Sequence, residues 1–232
     1  RIIEMSNSAG RDKPLTPLMP LTALAAKELA HDRTALAPGA CHAVSPLVRR
    51  IVAPNASPFT FTGTCTYIVG AGDVTVIDPG PDNADHLAAL LEATKGERIA
   101  NILVTHTHRD HSPGAHALKA ATGARLGGCA VHAQIFDDPS GREDASHDLA
   151  YAPDFEMRDG ETLEGDGYSL TAVHTPGHAS NHLCFALREE NALFSGDHVM
   201  AWSTTVVAPP DGNMRDYMRS LEQLAARSDA LY

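Results

Sequence analysis

The apolar run Ile99–Val104 passes directly into Thr105-His106-Thr107-His108-Arg109-Asp110-His111. A short continuous apolar run is what a strand buried on both faces requires. Behind it, four groups able to ligate a metal (His106, His108, Asp110 and His111) fall within six residues. In an extended strand exit, residues two apart point the same way, so His106 and His108 face one point. A turn after them returns Asp110 and His111 to the same region. Imidazoles and carboxylates form the ligand set of Zn²⁺ and other borderline divalent metals. Crowded together without a cation to share, such groups are costly. A polar surface loop would explain one histidine, but the HxHxDH spacing behind a buried strand points to a metal site.

Outward from this loop the pattern is layered. Pro113–Thr122 reads as a helix, with Pro in its first turn and Gly123 as its stop. Upstream, Asn83–Lys95 reads as a helix capped by Asn83, striped by His86, Leu87, Leu90 and Leu91, and ended by Gly96. Leu47–Ala53, Thr64–Val69 and Val74–Ile77 are short β-rich runs broken by Pro and Gly. Downstream, Arg125–Val131, Tyr168–Val173, Leu183–Leu187 and Ala192–Phe194 read as strands. Phe136–Asp154 reads as a long surface loop, and Met214–Ala226 as an amphipathic closing helix. Strand–helix–strand at the centre, with β meanders on both sides, predicts layered α/β architecture. Residues 1–45 read as an appended arm with one helix, Leu21–His31, and residues 46–232 as the domain.

The chain has 232 residues, 43% of them hydrophobic, and a formal charge of −11. That length can bury a sizeable core. The acidic balance weighs against a general nucleic-acid binder, which needs Lys and Arg to neutralise phosphates. No stretch approaches the roughly 18 apolar residues of a spanning helix, and Arg1–Lys13 lacks the apolar core of a secretory signal. Cys41, Cys65, Cys129 and Cys184 are widely spaced and form no CxxC pair, which predicts reduced thiols and a cytoplasmic protein. The chain opens on Arg1 rather than Met.

Two later stretches have matching chemistry. Thr175-Pro176-Gly177-His178 is a tight turn presenting an imidazole, and Phe194-Ser195-Gly196-Asp197 ends a strand on a carboxylate. Each alone is an ordinary turn. In this order behind HxHxDH, the chain resembles the metallo-β-lactamase superfamily, from about Val48 to Asp197 and beyond. The resemblance implies an αββα sandwich, an α/β (α+β) fold in four layers, with a two-metal site on one edge. His106, His108 and His178 would hold the first metal, Asp110 and His111 the second, and Asp197 would bridge both. Asp78, in Val76-Ile77-Asp78-Pro79-Gly80, matches the aspartate that orients metal ligands. The family's late histidine in a PGH turn has no counterpart after His198, so either the natural protein continues beyond Tyr232, the reading favoured here, or the second site is incomplete. His132, His182 and His198 read as supporting or surface groups. A finer resemblance, in Pro58–Thr64 with Tyr67–Gly70 and in Ser203–Gly212, is to the β-lactamase-like protein 2 branch, which includes hydroxyacylglutathione hydrolase-like hydrolases.

The implied activity is hydrolysis by a hydroxide shared between two divalent ions, zinc first, with manganese or iron as alternatives. Asp110 would orient that hydroxide and take its proton. The implied substrate is a small acyl ester or thioester. The alternatives are an RNA phosphodiesterase or endoribonuclease and an iron-dependent redox enzyme. Ser195 lies outside a GxSxG elbow and is no candidate nucleophile. His31, His42 and His147 read as surface residues, His116 as packing, and His174 as support for the site. Trp202 reads as buried. A homo-oligomer is compatible with the sequence, and a membrane partner is not expected.

Overall fold

The structure, a computed structural model, describes residues 37–131, 146–201 and 203–231. Most of the expected arm, its helix at Leu21–His31, His132 and Trp202 lie outside these residues.

The buried run forms β5 (Arg98–Val104), an interior strand of a seven-stranded sheet. Its neighbours run in chain order: β1 (Cys41–Ala43), β2 (Val48–Val52), β3 (Cys65–Val69), β4 (Asp73–Ile77), β5, β6 (Arg125–Gly128) and β7 (Phe155–Glu156). The strands β4 and β5 run parallel, with Ile77 opposite Leu103, so both end at the same edge. Parallel strands need a crossover, and α1 (Ala84–Ala93) supplies it. Its cap is the one anticipated, with Asn83 Oδ1 accepting from the His86 N–H at 2.9 Å. The next crossover, α2 (Gly114–Thr122), ends on Gly123 at φ +72 and packs on β5 and β6.

A second sheet of five strands is ordered β12-β11-β10-β9-β8: Ala230–Leu231, Ala192–Phe194, Leu183–Leu187, Ser169–His174 and Thr162–Glu164. Its side chains alternate. Leu183, Phe185, Leu187, Leu170, Ala172, Ala192 and Phe194 join the core shared with the first sheet. Cys184, Ala186, Val173 and Leu193 face the other way, onto Leu224 of α3 (Met214–Ala225). Period-two alternation of apolar residues on both faces is what a sheet covered on both sides needs. The two sheets touch directly: the rings of Tyr67 and Phe194 lie 5.1 Å apart, and Tyr168 donates to Thr75 Oγ1 at 2.8 Å. Helix, sheet, sheet and helix therefore stack in four layers.

Several boundaries differ from the sequence reading. β1 pairs with β2 ahead of the boundary at 45/46. The expected strand Arg125–Val131 stops at Gly128, where φ is +115 and an added Cβ would stand 2.4 Å from the Val104 carbonyl oxygen. The described end of the expected surface loop is mostly exposed, but two of its side chains turn inward. His147 and Tyr151 are buried; Tyr151 reaches the carbonyls of Gly127 and Cys129. The short strands β7, β8 and β12 are too brief to carry a periodic signal. All four cysteines are free thiols. No described helix is long and apolar enough to cross a membrane.

Candidate metal centre

The ends of β4, β5, β9 and β11 deliver the site. After Val104 the chain stays tied to both sheets: the Leu183 N–H donates to the Thr105 carbonyl at 2.8 Å, and the Asp78 N–H to the Leu103 carbonyl at 2.9 Å. The His111 and Ser112 N–H groups then return to the His108 carbonyl at 2.9 and 3.1 Å. That turn folds Asp110 and His111 back over His106 and His108.

From the second sheet, Thr175–His178 turns off β9 and brings in His178. Gly177 permits this turn. Its φ is +143, and an added Cβ would stand 2.3 Å from Cα of Tyr217 in α3. Gly177→Ala is expected to destabilise the fold by about 1–3 kcal/mol, read as a lower urea midpoint; an unchanged midpoint would show that α3 yields freely. Asp197 sits in the 3-10 turn Gly196–His198 directly after β11.

The donors converge. His106 Nε2 and His108 Nδ1 lie 3.0 Å apart. His111 Nε2 is 3.2 Å from Asp197 Oδ1 and 3.4 Å from Asp110 Oδ2. His178 Nε2 is 3.5 Å from Asp197 Oδ2. Ligand atoms of His106, His108 and His178 lie within 4.8 Å of one another, as do those of His106, His111 and Asp197. Zn–N bonds of about 2.0–2.1 Å around a tetrahedral ion place two nitrogens roughly 3.3 Å apart, close to these spacings.

The second ring nitrogens fix which atom faces the site. Thr105 Oγ1 donates to Asp78 Oδ2 at 2.8 Å, so it accepts from His106 Nδ1 at 3.0 Å. His111 Nδ1 donates to Asp78 Oδ2 at 2.9 Å, and His178 Nδ1 donates to the Val206 carbonyl at 2.6 Å. In each case Nε2 is the ring nitrogen left turned toward the centre. His178 Nε2 is buried with no hydrogen-bond partner, an orphan that a cation would satisfy.

Electrostatics agree. Burial, reinforced by neighbouring imidazoles, holds His106 well below its ordinary pKa and brings His108 to about 3. Both rings are neutral at pH 7, the form that ligates. Burial also opposes charge on His111, but Asp110, Asp197 and Asp78 outweigh it and hold His111 well above its ordinary value. Burial likewise disfavours the charged Asp110 and Asp197, yet the facing imidazoles keep both carboxyls below the usual range. The cluster therefore attracts positive charge, and its donor set fits a divalent cation.

All six residues expected as ligands come together here, with Asp78 beneath them. Other expectations fail. His147 is fully buried rather than at the surface. It bonds Thr107 Oγ1 through Nδ1 at 2.8 Å, its ring centre is 4.5 Å from that of His108, and its Nε2 is 3.3 Å from Asp211 Oδ2. Of the two readings of His182, a supporting or a surface group, its burial leaves the first, with its ring centre 5.1 Å from that of His106. His174 instead points outward from the site, exposed, its Nε2 donating to the Ser180 carbonyl at 3.3 Å. His116 is an exposed partner of Asp148 at 3.0 Å rather than a packing residue.

The sequence profile described as the metallo-beta-lactamase superfamily matches residues 59–232. The chain belongs to this superfamily. Among relatives of this superfamily chain, an atrochrysone carboxyl ACP thioesterase of Paecilomyces divaricatus is 34% identical over 194 residues, covering 81% of this chain and 54% of that protein. A lactamase-like protein of Emericella nidulans is 34% identical over 186 residues, covering 78% and 53%. The chain thus spans about half the length of the curated relatives it matches. A metallo-beta-lactamase family protein of Thermus thermophilus superposes with a TM-score of 0.61 at 25% identity, covering 79% of this chain and 71% of that one. A beta-lactamase domain protein of Burkholderia ambifaria gives 0.66 at 20%, covering 83% and 69%, a likeness of fold alone.

In this superfamily chain Asp78 touches no site-facing atom, yet it holds Thr105 by its N–H and hydroxyl, at 2.8 Å each, and His111 by Nδ1. Its φ of +50 is tolerated because these bonds fix it. Asp78→Asn replaces one accepting oxygen by a donor. It is expected to weaken metal affinity by about 10–100-fold, measured by competition with a chromophoric chelator. Affinity within twofold of the parent would remove Asp78 from the site.

Proposed function

We propose that this domain is a metal-dependent hydrolase that cleaves acyl thioesters, with two divalent cations, zinc first, held by His106, His108, His178, Asp110, His111 and Asp197. The observation that carries this reading is the convergence of those donors, four of which (His108, Asp110, His178 and Asp197) line a pocket of about 550 Å³. Cations there would supply Lewis acidity at neutral pH, the chemistry that activates water toward a carbonyl carbon.

The chain's own groups do the rest. Asp197 presents one oxygen to each donor group. Asp110 is partly open, its side chain 31% exposed, with Thr64 Oγ1 donating to Oδ2 at 3.2 Å. It is placed to hold the proton that water gives up. The hydrogen bond of His178 to the Val206 carbonyl keeps the ring turned inward. Two stretches behind the finer resemblance to the β-lactamase-like protein 2 branch both line the pocket: Pro58, Phe59 and Thr60 from one, Ser203, Thr204 and Val206 from the other.

An acyl substrate suits these walls better than RNA does. Among the described lining residues Arg109 is the only lysine or arginine, whereas a groove that tracks a phosphate backbone needs several. Relatives named as thioesterases lend the same direction. The test is hydrolysis by the zinc-loaded protein of an acyl-glutathione thioester against single-stranded RNA. Turnover of the thioester that disappears on chelation is expected; cleavage of RNA without thioester turnover would reverse the assignment.

A further inference from the structure

We infer that Arg109 is an anion-recognition residue lining this pocket, so that the preferred substrate is a thioester with an apolar acyl group and a negatively charged group within reach of Arg109. This rests on the thioesterase reading. It adds a residue and a chemical class that the metal ligands do not specify.

Arg109 lies between two groups of the candidate centre, but its backbone and side chain serve different ends. Its N–H is committed to the Ser146 carbonyl at 2.9 Å, which locks the loop. Its side chain is exposed and lines the pocket. No carboxylate stands within ion-pair distance of its guanidinium among the described residues. The other charged lining residues are Asp110 and Asp197, and both are directed at the histidines. In a chain of net charge −11, an exposed arginine over a reaction centre is a local exception. A guanidinium offers a planar fork of donors that matches a carboxylate or a phosphate two bonds at a time.

The opposite requirement is met beside it. Phe59 is 72% exposed and Val206 46%, and with Pro58, Pro81 and Met200 they give the pocket an apolar lining. An aromatic ring held open to water offers a face on which a flat acyl group gains by stacking and burial. Apolar wall and single cation together select an amphiphile: one apolar limb and one anion. The anion could be a carboxylate on the acyl limb or a phosphate on the thiol limb, and the same fork would take either.

Binding separates this claim from turnover. Four non-hydrolysable thioethers are titrated calorimetrically into the zinc-loaded protein. They are S-benzyl-N-acetylcysteamine, which is neutral; S-(4-carboxybenzyl)-N-acetylcysteamine, with an acyl-side carboxylate; and S-benzyl-phosphopantetheine with its unphosphorylated counterpart. At least one anionic compound is expected to bind about 10–100-fold more tightly than its neutral partner, and which one does so identifies the source of the anion. Arg109→Gln is expected to bring that ratio to near one, and Arg109→Lys to retain part of it. Phe59→Ala is expected to weaken the neutral and anionic members alike and preserve the ratio. Equal affinity for neutral and anionic thioethers in the parent, or a ratio that survives Arg109→Gln, overturns the inference. A ratio that depends on Arg109 in a protein that hydrolyses no thioester would leave the anion site standing and refute the reading of the reaction.

Discussion

Asp197→Ala is expected to lower thioester hydrolysis by about three orders of magnitude and to reduce the bound metal at both positions. Asp197 is the one side chain whose two oxygens face different donor groups, Oδ1 toward His111 at 3.2 Å and Oδ2 toward His178 at 3.5 Å. Lewis-acid stabilisation is worth several kcal/mol, and each 1.36 kcal/mol is tenfold in rate. Removing the group that joins the two sets therefore removes most of the catalysis rather than a fraction of it. Asp197→Asn keeps the volume and one acceptor but loses the charge, and a similar though smaller loss is expected. Steady-state kinetics with elemental analysis of the same preparations decides this. Activity within tenfold of the parent, with metal content unchanged, would mean that Asp197 is not a shared ligand.

The second large effect is on acid stability. In the metal-free protein His86, His108 and His198 are neutral when folded, because burial depresses their pKa values to about 4, 3 and 4. Unfolded, they titrate near 6.5. Between these values the unfolded chain binds more protons, so stability rises with pH. The three imidazoles thus favour folding at pH 7 relative to acid, and the benefit is lost from about pH 6.5 down to pH 3–4. The lowered carboxyls of Asp110 and Asp197 act in the same direction at the acid end. His111 acts oppositely: its raised value stabilises the fold below 6.5, and that contribution fades as pH climbs through its folded pKa. These imidazoles, joined by His106 and His182, whose values burial also lowers, outweigh His111 and leave a net loss on the order of 5 kcal/mol between pH 7 and pH 4. Urea denaturation at a series of pH values should show it, and zinc should be released over the same range because protons compete for the ring nitrogens. A flat stability profile would show that these rings are already charged or solvated in the folded state.

The parts of the site that can be read from sequence are those whose geometry is local. His106 and His108 face one point because strand periodicity is two, and Asp110 and His111 follow from the turn behind them. Pro-Gly-His and Ser-Gly-Asp are legible as turns, while their arrival at the same point depends on the Leu183–Thr105 contact that joins the sheets. What sequence hides depends on distant partners. His147 stands in a polar stretch, and nothing near it announces that Thr107 and Asp211 will bury it. His182 precedes a strand like any polar residue, and its place inside depends on Thr175, whose Oγ1 meets its Nδ1 at 2.8 Å, and on the rings of His106 and His198 beside it. Among the strands, those with apolar runs of five or more match their expected bounds within one or two residues. The pairs Phe155–Glu156 and Ala230–Leu231 escape such reading, since two residues have no period.

The most direct test is metal stoichiometry. The chain is dialysed free of metal, equilibrated with zinc and analysed for bound zinc beside His178→Ala and Asp197→Ala. Two ions per chain are predicted for the parent, one ion for His178→Ala, and little for Asp197→Ala. A parent chain that retains no zinc while remaining folded, or that hydrolyses its thioester after complete chelation, would contradict the assignment of these residues as a metal centre.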